Sequence, residues 1–159
     1  MSLQEMYQEV LLAHNENPNN FRAIENASCS AQGNNPLCGD EITVYLQFQD
    51  GKISDISFLG QGCAICKASA SLMTSRLRGL NGAEAEKVAQ DIIQLINDDT
   101  QPIPKDLGEL EAILGVRKFP ARIKCATLAW HTFLKALQKK SSCNCKPTQA
   151  CPRCSGHCC

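Results

Sequence analysis

The sequence predicts an α+β domain: a small antiparallel sheet of about three strands packed on one face by several helices, with an N-terminal helix and a cysteine-rich tail. Three observations carry this. Ile42, Val44, Leu46 and Phe48 alternate with Glu41, Thr43, Tyr45 and Gln47, and Asp50-Gly51 then marks a two-residue hairpin turn. Apolar residues recur at helical spacing before the hairpin and in several stretches after it. From Lys139 onward aliphatic residues almost vanish while cysteines accumulate. Residues 1–138 are therefore expected to form one folded domain, and 139–159 a tail that is flexible or ordered by metal.

Lys plus Arg and Asp plus Glu each number 16, so the net charge is zero. No electrostatic hold on nucleic acid or on anionic lipid is predicted. No apolar run reaches the ~20 residues a membrane span needs, and Met1 to Glu5 has neither the basic start nor the apolar centre of a signal peptide. The expectation is a soluble cytoplasmic protein. In a reducing compartment its 11 cysteines point to metal binding or redox chemistry, not cross-links.

Taken in order, Ser2 and Glu5 read as a capping box for a helix with Leu3, Met6, Tyr7, Val10 and Leu11 on one stripe. It should end near His14, whose charge would suit the C-terminal dipole, and Pro18 breaks the pattern. A weak strand is predicted over Ala27 to Ala31, followed by a turn-rich loop from Gly33 to Asp40. The return strand of the hairpin has Ile53 in one phase and Ile56 and Phe58 in the other, which a bulge near Ser54-Asp55 would reconcile. Cys63 then opens a helix to about Leu80, with Cys66, Ala70, Met73, Leu77 and Leu80 on its buried face. A second helix follows Asn81-Gly82 with Ala85, Val88, Ala89, Ile92 and Ile96. Asp98 to Pro104 is a loop, Leu107 to Leu114 a short helical segment, and Gly115 to Phe119 a connection. Pro120 suits the first turn of a last helix that buries Cys125, Leu128, Ala129, Trp130, Phe133 and Leu137.

The hairpin starts just after Cys38-Gly39-Asp40 and ends just before Gly60-Gln61-Gly62-Cys63. Antiparallel pairing puts both loops at one end of the sheet, so Cys38, Asp40 and Cys63 should be neighbours. Cys63 and Cys125 both lie near helix starts, where exposed N–H groups favour negative charge on sulfur. Cys38, Asp40, Cys63 and Cys125 thus make a four-ligand set for a thiophilic metal. The plainer alternative is three buried cysteines and a loop aspartate. Cys63-x-x-Cys66 also admits a thioredoxin-type redox reading, but the hairpin before it is antiparallel, and Cys66 on the apolar stripe reads better as a core residue. Cys29 reads as core or bystander and His131 as a surface residue. In the tail, Cys143, Cys145, Cys151, Cys154, His157, Cys158 and Cys159 could hold a metal with no fixed pairing.

Three motifs are now in view: Asn35-Pro36-Leu37-Cys38-Gly39-Asp40; Gly60-Gln61-Gly62-Cys63 with Ala68-Ser69-Ala70-Ser71; and Phe119-Pro120-Ala121-Arg122-Ile123-Lys124-Cys125. In this order they resemble the iron–sulfur cluster assembly proteins of the IscU/NifU N-terminal type, over roughly residues 1–138. Within that family the chain is most similar to SufU. Lys124 stands where scaffold-type members have His, and the segment from about Gln101 to Lys118 is the extra one of SufU. Cys66 replaces the serine usual there, and the tail has no family counterpart.

The resemblance implies a zinc site of Cys38, Asp40, Cys63 and Cys125. It also implies a PLP-dependent cysteine desulfurase of the SufS/IscS type as sulfur donor, and downstream iron–sulfur acceptor or scaffold proteins as recipients. Cys38, on a glycine-flanked loop, is the expected sulfur-accepting nucleophile, with Lys124 and Arg122 offsetting excess negative charge. Any enzymatic role would at most be that of a zinc-dependent sulfurtransferase. Two alternatives stand beside this: a scaffold carrying iron or a [2Fe–2S] cluster on the same ligands, and a metal-storage or thiol redox module run by the tail and Cys63-x-x-Cys66.

Overall fold

The computed structural model describes residues 3–36 and 39–142. The Ser2 cap, the side chains of Leu3, Met6 and Tyr7, Cys38, and the tail from Cys143 lie outside the described residues. Among the described residues, four α-helices, a 3-10 helix and three strands follow in the order α1 (Leu3–Glu16), β1 (Cys29–Asn35), β2 (Asp40–Gln49), β3 (Lys52–Gln61), α2 (Ala64–Leu77), α3 (Gly82–Asn97), the 3-10 helix Gly108–Lys118 and α4 (Pro120–Ser142). The α+β class is as the sequence predicts: one antiparallel sheet in the order β1-β2-β3, with helices on one face.

The hairpin forms where its residues dictate. Asp50 and Gly51 both take positive φ, 55° and 78°, as a tight turn between twisted strands requires. Opposite Gln47 and Phe48 the register slips, so that Gln47 faces Asp55, Phe48 faces Ile53, and Ser54 is the extra residue of the predicted bulge. The bulge returns Ile53, Ile56 and Phe58 to the side of Ile42, Val44 and Leu46, and all six are at most 3% exposed.

β1 is longer than its sequence suggests. It continues through Gly33-Asn34-Asn35, residues that read as a turn, and pairs with β2 from Cys29↔Leu46 to Asn35↔Asp40. The polar composition is that of an edge strand, whose open side is managed by other groups. Lys135 and Lys139 of α4 donate to the carbonyls of Gln32 and Ser30 at 3.0 and 3.1 Å. On the opposite edge the segment Asn20–Arg22 runs along β3: the Phe58 N–H donates to Asn20 O at 3.1 Å, and the Arg22 N–H to Phe58 O at 3.0 Å.

Helices α2 and α4 cover the apolar face of the sheet, and α1, α3 and the 3-10 helix pack outside them. Because α2 lies in the middle, it is buried all round from Ala68 to Thr74, not along one stripe. Its polar residues are satisfied by distant chain. Ser69 Oγ donates to Ala126 O at 2.6 Å and accepts from Trp130 Nε1 at 3.0 Å. Thr74 Oγ1 accepts from Asn20 Nδ2 at 3.1 Å.

His14 lies in the last turn of α1, as expected, but is buried. It is 8% exposed, with Nδ1 2.7 Å from Ser71 Oγ and Nε2 2.7 Å from Glu109 Oε2. It ties α1 to α2 and to the 3-10 helix. His14→Ala is expected to cost about 1–3 kcal/mol in denaturant unfolding, the range for leaving a buried hydrogen-bond partner, here Ser71 Oγ, without its bond.

A second tie lies at the surface, where Asp55 meets Arg22 at 2.6 Å and Arg78 at 3.0 Å. Burial pushes the Asp55 carboxyl up. The hydrogen bond and charge of Arg22, the charge of Arg78 and the Ile56 N–H outweigh it and hold the group below its ordinary 3.8. A folded value below the unfolded one adds stability above the unfolded value, lost as pH falls through the folded one. An Asp55→Asn chain should therefore be less stable by about 0.5–1 kcal/mol near neutral pH, as for partly exposed ion pairs. Urea titrations should show that gap closing as pH falls below 3.8.

The helix predicted over Leu107 to Leu114 is wound as a 3-10 helix and extends to Lys118, burying Leu110, Ala112, Ile113, Leu114 and Val116. α4 begins at Pro120 as expected and runs past Lys139 to Ser142. No helix among the described residues is long and apolar enough to cross a membrane.

Candidate metal centre

Two crossings of the chain build one rim of the sheet. Asp40 begins β2, opposite Asn35 of β1. Gln61 ends β3 opposite Glu41, so the chain leaves the sheet beside Asp40 and enters α2. The turn from β3 into α2 is tight enough to demand glycine twice. Gly60 has φ 154°, and a Cβ there would lie 2.1 Å from the carbonyl oxygen of Glu41. A Cβ on Gly62 would lie 2.6 Å from Asp40 Oδ1. With hydrogen in that place, the Cys63 N–H reaches Asp40 Oδ1 at 2.9 Å.

Cys63 is the N-cap residue of α2, with φ −70° and ψ 166°. The third element is the first part of α4, which carries Cys125 inward to full burial. The Cys63 sulfur, the Cys125 sulfur and a carboxylate oxygen of Asp40 lie within 4.8 Å of one another. Tetrahedral zinc, with bonds of about 2.3 Å to sulfur, needs ligand atoms about 3.8 Å apart.

The polar bookkeeping also fits a cation. Asp40 is fully buried, its Oδ1 is used by the Cys63 N–H, and its Oδ2 has no hydrogen-bond partner among the described residues. A buried carboxylate oxygen left bare is costly, and a cation among the two sulfurs would satisfy it. Two thiols and one carboxylate are donors of the kind that suit zinc or iron.

Of the sequence-predicted set, Asp40, Cys63 and Cys125 are brought together, and Cys38 lies outside the described residues. Arg122 and Lys124 are exposed on the first turn of α4, and His131 is exposed as expected. Cys66 is a buried core residue at 3%, and Cys29 is half-buried. Sequence reasoning missed Asn35, which is 7% exposed and directs Nδ2 toward Cys125 Sγ at 3.8 Å. Its position before a proline reads as a turn signal, and nothing local shows the sulfur 90 residues away.

The chain was compared with known proteins. The NifU-like N-terminal domain family matches residues 6–139. An iron–sulfur cluster assembly scaffold protein IscU of Streptococcus pyogenes serotype M1 is 37% identical over 140 residues, 88% of this chain and 87% of that one. The zinc-dependent sulfurtransferase SufU of Bacillus subtilis strain 168 is 36% identical over 143 residues, 90% of this chain and 97% of that one. Among solved structures, a candidate iron–sulfur cluster assembly scaffold protein for the SUF system from Fervidobacterium islandicum AW-1 superposes with a TM-score of 0.76 at 30% identity, covering 86% of this chain and 99% of that one. The strand order, the rim of Asp40, Cys63 and Cys125, and these similarities agree: the chain belongs to the NifU-like N-terminal domain family.

Proposed function

We propose that this chain works in iron–sulfur cluster assembly as a zinc-bound acceptor of persulfide sulfur from a PLP-dependent cysteine desulfurase, in the cytoplasm. The observation that carries the reading is the buried Oδ2 of Asp40, without a hydrogen-bond partner among the described residues, beside the sulfurs of Cys63 and Cys125. Cys38 is the proposed fourth ligand, two residues from Asp40 along the chain. When bound, zinc would hold the thiolates deprotonated at neutral pH without changing its own redox state.

The residues then divide the work. Asp40, Cys63 and Cys125 are held by sheet rim and helix starts, so they would keep the ion when it is bound. Cys38 precedes Gly39, an exposed residue at φ 69°, and is the ligand proposed to leave the site. Its thiolate attacks the outer sulfur of the donor's persulfide. A new S–S bond forms on Cys38, the donor's S–S bond breaks, and the donor cysteine leaves as a thiolate. Exposed Lys124 and Arg122 offset the negative charge that arrives.

Two features favour this sulfurtransferase reading over the scaffold one. Lys124, not a histidine, precedes Cys125. The segment ending in the 3-10 helix is built into the core, and its Glu109 holds His14. The scaffold reading keeps support from the Streptococcus relative, which is named as a scaffold; iron and sulfide would then be cargo on the same donors. Incubating the zinc-loaded chain with a cysteine desulfurase and cysteine tests the choice. Faster cysteine turnover, with a persulfide on Cys38 by mass spectrometry, is expected. A stable visible-absorbing cluster after anaerobic reconstitution, without stimulation, would favour the scaffold. Desulfurase and downstream iron–sulfur acceptors are the partners this reading requires.

A further inference from the structure

We propose that Cys63 and Cys66 form a reversible internal disulfide that withdraws Cys63 from the metal centre, so that oxidation and metal binding exclude one another at this site. The inference rests on the metal-site reading for what is displaced, but not for the bridge itself.

Neither Cys63 nor Cys66 is in a disulfide in the structure. Cys63 is the N-cap of α2 and Cys66 is the third helical residue, with the first intrahelical bond running from the Lys67 N–H to Cys63 O at 3.2 Å. Along a regular helix, Cβ atoms three residues apart stand about 5–6 Å from one another, more than the roughly 3.5–4.5 Å of a disulfide. An N-cap residue differs. Its extended ψ, here 166°, turns its side chain back over the first turn, which is why in reciprocal capping the N-cap side chain reaches the backbone of the third residue and that residue's side chain reaches back to the N-cap backbone. Cys63 makes no side-chain capping hydrogen bond, so its sulfur is not committed there. The position gives it two alternatives: Asp40 and Cys125 on one side, Cys66 on the other.

Access orders the steps. Cys63 is half-buried, whereas Cys66 is 3% exposed. A small-molecule disulfide is the oxidant. The Cys63 thiolate attacks one of its sulfurs, forming a mixed disulfide and releasing one thiolate. The Cys66 thiolate then attacks the Cys63 sulfur, closing the internal bridge and releasing the second. Two protein thiols are oxidised, one external disulfide is reduced, and the two protons go to the released thiolates.

Tryptic mapping of the full chain reads this directly. Residues 53–67 form one peptide holding Cys63 and Cys66, while Cys125 lies in the separate peptide 125–135. The zinc-stripped chain is treated with glutathione disulfide, and peptide 53–67 is expected two hydrogens lighter. Zinc added beforehand should slow this by about tenfold or more. The oxidised chain should then bind zinc at this site more weakly than the roughly 10- to 100-fold loss seen when only a group behind a ligand is removed. Reduction should restore it. Cys66→Ala, or Cys66→Ser if alanine folds poorly, should bind zinc normally when reduced and end with a mixed disulfide on Cys63.

The proposal is overturned if peptide 53–67 stays reduced, if Cys63 is found joined to peptide 125–135, or if oxidation leaves zinc binding unchanged. A reduced chain that binds no zinc at Cys63 would instead defeat the metal-site reading, whatever the mapping shows.

Discussion

Chains carrying Cys63→Ala or Cys125→Ala, purified reduced and without added metal, are expected to hold one zinc ion fewer per chain than the unaltered protein. The difference is the quantity to read, because the tail cysteines offer further thiolates. Each substitution leaves two thiolates or fewer around Asp40, too few for the closed tetrahedral shell that makes zinc binding tight. Folding is linked to the same loss, since an ion bound only by the folded chain stabilises it. Free zinc at a thousand times Kd adds about 4 kcal/mol, and a domain of this size moves roughly 2–4 °C in Tm per kcal/mol, so chelation should lower Tm by about 8–16 °C. In the two variants chelation should leave Tm nearly unchanged. Elemental analysis and thermal unfolding, each with and without chelator, check both statements.

The two glycines of the β3–α2 turn should fail differently. In Gly60→Ala the new Cβ meets the Glu41 carbonyl at 2.1 Å and the Ile42 Cα at 2.9 Å, and the residue must also hold φ 154°. Backbone cannot give way cheaply, so the rim pairing Ile42↔Gly60 opens. The expected loss is about 3 kcal/mol or more, a drop of roughly 6–12 °C in Tm, with zinc lost as well. In Gly62→Ala the Cβ meets only the side chain of Asp40, Oδ1 at 2.6 Å. A side chain can turn away, at the cost of the Cys63 N–H bond, about 1 kcal/mol. The fold should survive while zinc affinity falls by about 10- to 100-fold. Denaturant unfolding beside zinc titration separates the two outcomes.

Much of this rim was legible in the sequence because its signals are local. Asp50-Gly51, the phase change between Ile53 and Ile56, and glycines just before Cys63 each say something about three or four neighbouring residues. Together they bring Asp40 to Cys63 by register alone. Cys125 could be placed only near a helix start; that this start faces the same rim depends on α4 lying along β1, which no local pattern states.

The misses share that cause. Gly33-Asn34-Asn35 has turn composition, yet forms strand because β2 pairs with it and α4 supports its edge. His14 stands at the helix end as its position says, but its partners Ser71 and Glu109 are 57 and 95 residues away and no local pattern names them. Ser69, Ser71 and Thr74 hid the central position of α2, since polar residues imply an exposed face unless their distant partners are known.

Anomalous diffraction at the zinc edge, on crystals of the reduced chain grown with its own metal, tests the central claim most directly. The predicted result is a peak bonded to Cys63 Sγ, Cys125 Sγ and a carboxylate oxygen of Asp40. Zinc found only on the tail cysteines, with these three side chains left unligated, would contradict it.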